Sequence, residues 1–209
     1  MIIDFDYLSS ISRTVPFKGT MFGCSFDGQR LALVGYSLVN TGEFEPIERG
    51  SNQLKAVQAP KIFFATYLEQ ITITRAMRVF DQIGGCLGTS SLALVVRGTN
   101  GRNDVFLRHL RAHGSGHSAK LFTEGQGRHY EALEVLGAVA DDRAEGVITL
   151  APEFQPRPER VLLDEEIALV DPSKPFSPLQ EAFIYGLGEW SCKRKRPKYK
   201  IGQANLRLW

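Results

Sequence analysis

Cysteine is scarce in this sequence of 209 residues, which contains only Cys24, Cys86 and Cys192. An odd number of widely spaced cysteines with no Cys-x-x-Cys pair argues against a disulfide framework and against a zinc ribbon. We therefore expect three reduced and mostly buried thiols. The motifs of nucleotide-binding folds are also missing. The glycine-rich stretch 84–88 has neither the Lys-Ser/Thr of a phosphate-binding loop nor a Gly-x-Gly-x-x-Gly spacing.

Long apolar runs are absent as well, and no segment reaches membrane-spanning length. The first residues, Met-Ile-Ile-Asp-Phe-Asp, have no basic start and no cleavage site typical of a secretion signal. We therefore expect a cytoplasmic protein without a membrane partner. With 43% apolar and 23% charged residues, the composition is that of an ordinary globular protein. We expect one α+β domain over residues 1–209, with a basic C-terminal segment over 191–209.

Groups of side chains typical of catalytic centres are few. His109 and His113 have the i,i+4 spacing of a helical metal site, but the Glu of a His-Glu-x-x-His motif is missing. The sequence around Ser115 does not match the Gly-x-Ser-x-Gly pattern of a nucleophile elbow. The acidic run 164–166 is explained more simply by a solvent-exposed turn than by a cation site. We predict no metal and no cofactor.

Residues 92–114 predict a buried strand, a tight glycine loop and a short helix. The run 92–96 is apolar and of strand length, the Asn-Gly pair at 100–101 is a turn signal, and Asn103 or Asp104 can cap the helix. Such a loop points free backbone N–H groups at whatever lies above the strand, which suits a phosphate. An ordinary strand–turn–helix connection is the alternative, because the carboxylate of Asp104 would compete for the same N–H groups.

The first half of the chain predicts a β-hairpin. The Asp-Gly pair at 27–28 is a strong turn signal between strands expected at 17–23 and 30–39. Residues 40–60 are rich in Gly, Pro, Glu and Ser, which favours a long loop or a covering flap. Residues 61–68 are aromatic and apolar enough for a buried strand.

The rest of the sequence predicts both strands and helices. Residues 69–80 fit a strand by their first half and a helix by their second half. We expect strands at 147–150, 161–163 and 167–170. A helix is expected at 179–187, because Pro178 is well placed at its start.

Positive charge is concentrated near the C-terminus, where six basic residues stand within eight positions: Lys193, Arg194, Lys195, Arg196, Lys198 and Lys200. The net charge of the whole chain is +2, so the other residues together carry −4. This segment could neutralise the phosphates of a nucleic acid, with Tyr199 and Trp209 as stacking surfaces. We favour a solvated charged run leading into an edge strand at 200–209, because we find no matching basic face elsewhere in the sequence.

Two blocks of the sequence resemble the IMP cyclohydrolase-like family. The first block is Phe17-Lys-Gly-Thr-Met-Phe-Gly, the turn at 27–28 and the strand that ends at Tyr36. It is similar to the family's opening strand, Asp-Gly-type turn and strand ending in Tyr. The second block is the stretch 71–79, the apolar run after it and Thr99-Asn-Gly, which resemble the family's Arg-bearing strand, next strand and Thr-Asn-Gly loop.

The resemblance implies a layered αββα sandwich of mainly antiparallel sheets, as in the N-terminal-nucleophile hydrolases. It also implies a cyclohydrolase activity on a phosphorylated purine-type nucleotide, in which a formamido-imidazole closes to IMP with loss of water and without a cofactor. Such an intramolecular reaction needs a protein that positions the reacting groups and supplies a proton donor. On this resemblance Lys18 and Asp104 are catalytic, and Arg78, Asn100 and Gly101 bind the substrate.

Two departures from the family pattern bear on that activity. Residues 40–43 replace the family's Gly-Arg-Ser segment, and Thr74 stands where the family has Tyr. These changes remove phosphate-binding charge and a proton donor. The alternative hypothesis is a non-enzymatic binding or assembly protein that uses residues 193–200 to bind nucleic acid or an acidic partner. Either protein could form a homo-oligomer.

Overall fold

The computed structural model of this chain describes residues 3–14, 20–47, 52–97, 102–113, 116–122, 132–168 and 174–195. The strands are β1 (Thr20–Phe26), β2 (Leu31–Pro46), β3 (Leu54–Leu68), β4 (Ala93–Arg97), β5 (Ser118–Phe122) and β6 (Thr149–Leu150). The helices are α1 (Phe5–Ile11), α2 (Ile73–Cys86), α3 (Arg102–Ala112), α4 (Ala132–Ala144), α5 (Pro158–Ala168) and α6 (Pro178–Lys195). None of these helices is long and apolar enough to cross a membrane.

The described strands form one mixed sheet in the order β5-β4-β1-β2-β3-β6. The pairs β1–β2 and β2–β3 are antiparallel, whereas β4 is parallel to β1, β5 to β4 and β6 to β3. The expected mixture of helices and strands is therefore confirmed. The two stacked sheets of an αββα sandwich are not found among the described residues, because all their strands belong to this single sheet.

The predicted hairpin turn between β1 and β2 is confirmed. The carboxylate of Asp27 accepts hydrogen bonds from the backbone N–H groups of Gln29 (3.0 Å) and Arg30 (2.8 Å). Gly28 has a φ of +101°, which a residue without a Cβ adopts at no steric cost. The sequence signal was reliable here because the turn is held by contacts within four residues.

Helix α6 packs directly on one face of β1. A Cβ atom on Gly23 would overlap the carbonyl oxygen of Ala182 and would lie 2.8 Å from the backbone nitrogen of Gly186. The hydroxyl of Tyr36 donates a 2.5 Å hydrogen bond to the carbonyl of Gly186. The sheet and the helix thus meet backbone to backbone, which only glycine permits.

Helices α1, α2 and α3 cover the opposite face of the sheet. Phe106 of α3 packs against Phe26 of β1 with ring centroids 5.4 Å apart, and against Phe80 of α2 at 6.1 Å. The hydroxyl of Tyr7 in α1 donates a 2.6 Å hydrogen bond to the carbonyl of Phe63 in β3. These apolar contacts between the helices and the sheet provide most of the stabilisation on this side.

The expected long loop over residues 40–60 is wrong for the part that the structure describes. Strands β2 and β3 continue as a paired ribbon from Leu38↔Pro60 out to Pro46↔Leu54. Gly42, with a φ of +88°, lies in a register irregularity within β2 rather than in a turn. Glycine, proline and glutamate indicate a loop by composition, but cross-strand pairing overrides that preference.

Helix α2 resolves the ambiguous stretch 69–80. The side chain of Thr72 accepts a 3.3 Å hydrogen bond from the backbone N–H of Arg75 and caps the helix. The buried side chains recur at helical spacing, at Ala76, Met77, Val79, Phe80 and Ile83. The helix also continues through the glycines at 84 and 85, where the sequence had suggested a break.

The strands expected at 161–163 and 167–170 are wrong where they are described. Residues 158–168 form α5, which starts at Pro158 and buries Leu163. Arg160 and Asp164 form an i,i+4 ion pair at 2.9 Å along this helix. Short apolar runs do not distinguish a strand from one side of a helix, and here the local helical contacts decided.

The thiol prediction agrees with the structure for two of the three cysteines. Cys24 is a buried free thiol, and Cys86 is a half-buried one. Burial raises the pKa of the Cys24 thiol above its ordinary value, because the thiolate would be separated from water. The side chain of Cys192 is not among those described.

Candidate functional site

Asp81 joins α2 to two histidines that follow in the chain. Its Oδ2 atom lies 2.8 Å from Nε2 of His113 at the end of α3, and its Oδ1 atom lies 3.1 Å from Nε2 of His117. The Nδ1 atom of His117 accepts a 3.1 Å hydrogen bond from the backbone N–H of Leu92, just before β4. One carboxylate therefore connects the C-terminal end of α3 to the beginning of β4.

The hydrogen bonds assign the tautomer of His117. Because Nδ1 accepts from Leu92, the ring proton must be on Nε2, where it is donated to Asp81. Burial lowers the pKa of His117 below its ordinary value, although Asp81 acts in the opposite direction. The pKa of Asp81 is itself lowered, because its hydrogen bonds to His113 and His117 outweigh the effect of partial burial.

This cluster is better suited to holding α3 in place than to binding a metal. Both carboxylate oxygens of Asp81 and both ring nitrogens of His117 already have partners. Among the described residues, no group of three or more His, Cys, Asp or Glu side chains has the arrangement of a metal site. Sequence reasoning paired His113 with His109 by their helical spacing, but Asp81 is 32 residues from His113 in the chain.

The titration of His117 predicts how stability depends on pH. The ordinary pKa of histidine is 6.5, and that of folded His117 is lower, so the unfolded chain takes up a proton that the folded chain does not. The free energy of unfolding should therefore fall as the pH drops below about 6.5. The pKa of Asp81 in the folded chain is lowered from its ordinary value of 3.8. Its protonation should therefore reduce the free energy of unfolding further only below about pH 3.8.

Urea denaturation at several pH values between about 7.5 and 4.5 measures this dependence. His117→Gln should be less stable at neutral pH and should show a smaller further loss on acidification. The exposed His109, also mutated to Gln, is the matched control and should keep the dependence of the native protein. An unchanged slope in His117→Gln would contradict the assignment.

The end of the sheet at which β1 and β4 begin carries exposed cations on α3. Helix α3 follows β4 and runs back along it, because Phe106 lies against Phe26 at the end of β1 while His113 is tied to the start of β4. Arg108 and Arg111 are exposed in its C-terminal half, as is His109. We call this end, with the C-terminal halves of α3 and α6, the basic end of the sheet.

The last turn of α6 reaches the same end from the other face. Near the end of β1, the hydroxyl of Ser25 donates a 2.5 Å hydrogen bond to Glu181 in the first turn of α6. Gly186 contacts Tyr36, which pairs with Met21 near the start of β1. The helix thus runs antiparallel to β1, and residues 193–195 lie about 10–14 Å beyond Gly186 along the helix axis.

The sequence contains a second basic stretch, which sequence reasoning missed. Residues 71–113 include six arginines and two aspartates but no lysine or glutamate, a net charge of +4. The expectation of no basic face outside the C-terminal segment did not take this stretch into account. Among the arginines whose side chains are described, Arg108 and Arg111 lie in the C-terminal half of α3, whereas Arg75 and Arg78 lie in the first half of α2.

Arg78 lies in a groove at the opposite end of the sheet. The groove has a volume of about 690 Å³ and is formed by α1, the end of β3 and the first half of α2. Arg75 and Arg78 are exposed residues that line it, and neither forms an ion pair with another described residue. Its apolar walls are Ile3, Phe5, Leu68, Ile71 and Val79.

The other predicted site residues are not brought together by the described part of the chain. Lys18, Asn100 and Gly101 lie outside the described residues. Asp104 falls in the first turn of α3, which begins at Arg102, so neither Asn103 nor Asp104 is the residue that precedes the helix. In the basic segment, Lys193, Arg194 and Lys195 belong to α6, and Arg196, Lys198 and Lys200 lie outside the described residues. The predicted edge strand at 200–209 is outside them too.

Comparison with known proteins gives no family for this chain. No family model matches it, and no curated protein matches its sequence. Among solved structures, the chain is similar to the Fowlpox virus resolvase, determined in complex with its substrate Holliday junction DNA. The TM-score is 0.40 at 9% identity, over 85% of this chain and 99% of that chain. A likeness at this level carries no conclusion about what this chain does.

The predicted kinship to the IMP cyclohydrolase-like family is wrong, and so is the purine cyclohydrolase activity that it implied. The comparisons find no member of that family, and the solved structure that they do find is a resolvase. The structure gives a physical reason, because Arg78 lies on a helix, whereas the resemblance requires a strand at 71–79. Short glycine and turn motifs recur in unrelated folds, since many different chains need the same tight turns.

Proposed function

We propose that this protein binds nucleic acid through the basic end of the sheet. The observation that carries the proposal is that α3 and α6, which pack on opposite faces of the sheet, both run toward the same end of it. The C-terminal half of α3 presents Arg108, His109 and Arg111 there, and the last turn of α6, residues 193–195, runs to the same end. We assign no catalytic role to this surface.

The distribution of charge supports a polyanionic partner. Residues 193–200 carry a net +6 and the rest of the chain carries −4, and α3 adds the exposed Arg108 and Arg111 at the end of the sheet toward which α6 runs. A molecule with such separated charge orients its basic end toward a polyanion during encounter and its acidic remainder away from it. Backbone phosphates, spaced regularly along a nucleic acid, can engage both basic stretches at once.

The type of cation also favours phosphate. The permanently charged residues that α3 presents at this end are Arg108 and Arg111, and a planar guanidinium can donate two parallel hydrogen bonds to one phosphate. The carboxylate of Asp81, in the second half of α2, already accepts hydrogen bonds from His113 and His117. Its oxygens are therefore engaged within the protein rather than directed at a ligand.

Fluorescence anisotropy with a labelled DNA duplex and a labelled single strand tests the proposal on the whole chain. If about six phosphates are contacted, the affinity should fall about 10³-fold between about 50 and 200 mM salt. Two variants test the two helices: Arg108→Gln/Arg111→Gln in α3 and Lys193→Gln/Arg194→Gln/Lys195→Gln in α6. Each should weaken binding, and the slope of log K against log salt concentration should become shallower by about one for each charge removed.

Arg30→Gln/Arg160→Gln is the matched control. It removes two positive charges from the hairpin turn at the other end of β1 and from α5, and it should leave the salt dependence unchanged. Equal weakening by the control and by the α3 variant would contradict a localised interface. Displacement of the labelled DNA by polyglutamate as effectively as by unlabelled DNA would indicate an acidic protein partner instead.

A further inference from the structure

The groove beside α2 has an apolar floor and a polar rim. The apolar residues that line it are buried or half-buried: Ile3, Phe5, Leu68, Ile71 and Val79. The other lining residues are polar and exposed: Glu69, Thr72, Thr74, Arg75, Arg78 and Gln82. The apolar body of an amphiphilic molecule would leave water on such a floor, while its charged head group would stay at the rim.

The size of the groove matches a small molecule. Its volume is about 690 Å³, and sites for small molecules have volumes of about 300–1,000 Å³. Such sites also combine a mostly apolar lining with a few polar groups that fix the orientation of the ligand. The groove therefore has both the dimensions and the composition of a small-molecule site.

Two arginines on the rim decide the charge of the head group. Arg75 and Arg78 are three residues apart on α2 and are therefore neighbours on its surface. Neither forms an ion pair with another described residue, so no described carboxylate relieves the repulsion between the two guanidinium groups. A carboxylate placed between them would accept charge-assisted hydrogen bonds from both.

Glu69 also lines the groove, but its carboxylate has a partner within the protein. The hydroxyl of Tyr67 donates a 3.0 Å hydrogen bond to Oε1 of Glu69. With Glu69 included, the two arginines leave a net charge of +1 on the lining. This charge matches a monoanion. A carboxylate carries one negative charge at neutral pH, whereas a phosphate monoester carries about 1.5 to 2.

We propose that the groove beside α2 binds an amphiphilic monoanion, namely a carboxylate attached to an apolar body such as an alkyl chain. The carboxylate lies between Arg75 and Arg78, and the apolar body covers Ile3, Ile71 and Val79. The groove is at the opposite end of the sheet from the basic end, so the inference does not depend on the nucleic-acid proposal.

Isothermal titration calorimetry of the whole chain with three probes tests the class of ligand. Decanoate has the charge and the apolar body, acetate has only the charge, and decylammonium has the apolar body with the opposite charge. Decanoate should bind at least about tenfold more tightly than either of the others, because each of them lacks one of the two contributions. Equally tight binding of acetate or decylammonium, or no binding of decanoate at concentrations below micelle formation, would overturn the proposal.

Two pairs of substitutions test whether the arginines of the groove hold the carboxylate. Arg75→Gln/Arg78→Gln should weaken the binding of decanoate at least about tenfold. Arg108→Gln/Arg111→Gln is the matched control, because it removes two exposed arginines with the same spacing from α3. The control should bind decanoate like the native chain. Equal weakening by both pairs would contradict a site in the groove.

A reversal of charge separates loss of the site from loss of the fold. Arg75→Glu/Arg78→Glu keeps the apolar floor and makes the rim acidic, so this variant should bind decylammonium more tightly than decanoate. A chain that had merely unfolded would not exchange one preference for the other, and circular dichroism checks that the variant is folded. A folded variant that still prefers decanoate, or that binds neither probe, would overturn the proposal.

Discussion

Gly23→Ala is expected to destabilise the protein by about 3 kcal/mol or more, and the variant is expected to be largely unfolded. The added Cβ would overlap the carbonyl oxygen of Ala182 and lie 2.8 Å from the backbone nitrogen of Gly186. Both groups belong to the backbone of α6, so neither can rotate away as the end of a side chain could. Relief requires α6 to move off the sheet, which would break the 2.5 Å hydrogen bond from Tyr36.

Gly85→Ala is the matched control for this prediction. Gly85 lies in α2, and no atom is within 4 Å of the position that its Cβ would take. The same substitution there should raise the free energy of unfolding by about 0.5–1 kcal/mol, because alanine favours a helix over the unfolded chain. Urea denaturation of both variants measures the difference. A Gly23→Ala protein with native-like stability would show that the close contact between α6 and β1 is not formed.

Phe80→Ala is expected to lower the free energy of unfolding by about 3–5 kcal/mol. Phe80 is fully buried, and its ring lies 6.1 Å from that of Phe106 and 5.9 Å from that of His117. Removing it leaves a cavity at the point where α2, α3 and the residues before β5 meet. His117, which binds Asp81, would lose the aromatic ring that packs against it.

Two controls separate this cavity from a general effect of mutation. Phe80→Leu keeps most of the volume and should cost much less than the alanine variant. Val105→Ala removes an apolar side chain from α3 at a position that is 46% exposed, and its effect should stay within about 0.5 kcal/mol. Denaturation midpoints of the three variants give the comparison. A Phe80→Ala variant no less stable than Val105→Ala would show that Phe80 does not join the helices.

Basic residues that are adjacent in the sequence were easier to recognise as a possible interface than basic residues that are scattered along it. Six basic residues within eight positions are visible in the sequence by inspection, and they formed one of the initial hypotheses. The arginines of 71–113 were overlooked, since no two of them are adjacent. The Asp81 cluster was also overlooked, because Asp81 and His117 are 36 residues apart and meet only when α2 packs beside the β4–β5 region.

The sequence alone determined the elements that short-range contacts hold in place. The Asp27–Gly28 turn, the strand near 92–96, the helix after it and the helix that starts at Pro178 all follow from caps, turns and apolar spacing within a few residues. Absences were informative too, because the missing nucleotide-binding and metal-site spacings limited the functions worth considering.

Only the tertiary structure decided which distant segments share a surface. Pairing between β2 and β3 turned an expected loop into a paired ribbon, and the approach of α6 to Gly23 set the end of the sheet to which residues 193–195 run. Such contacts depend on the combined packing of many side chains rather than on the pattern of any one segment. Packing therefore decided that the described strands form one mixed sheet.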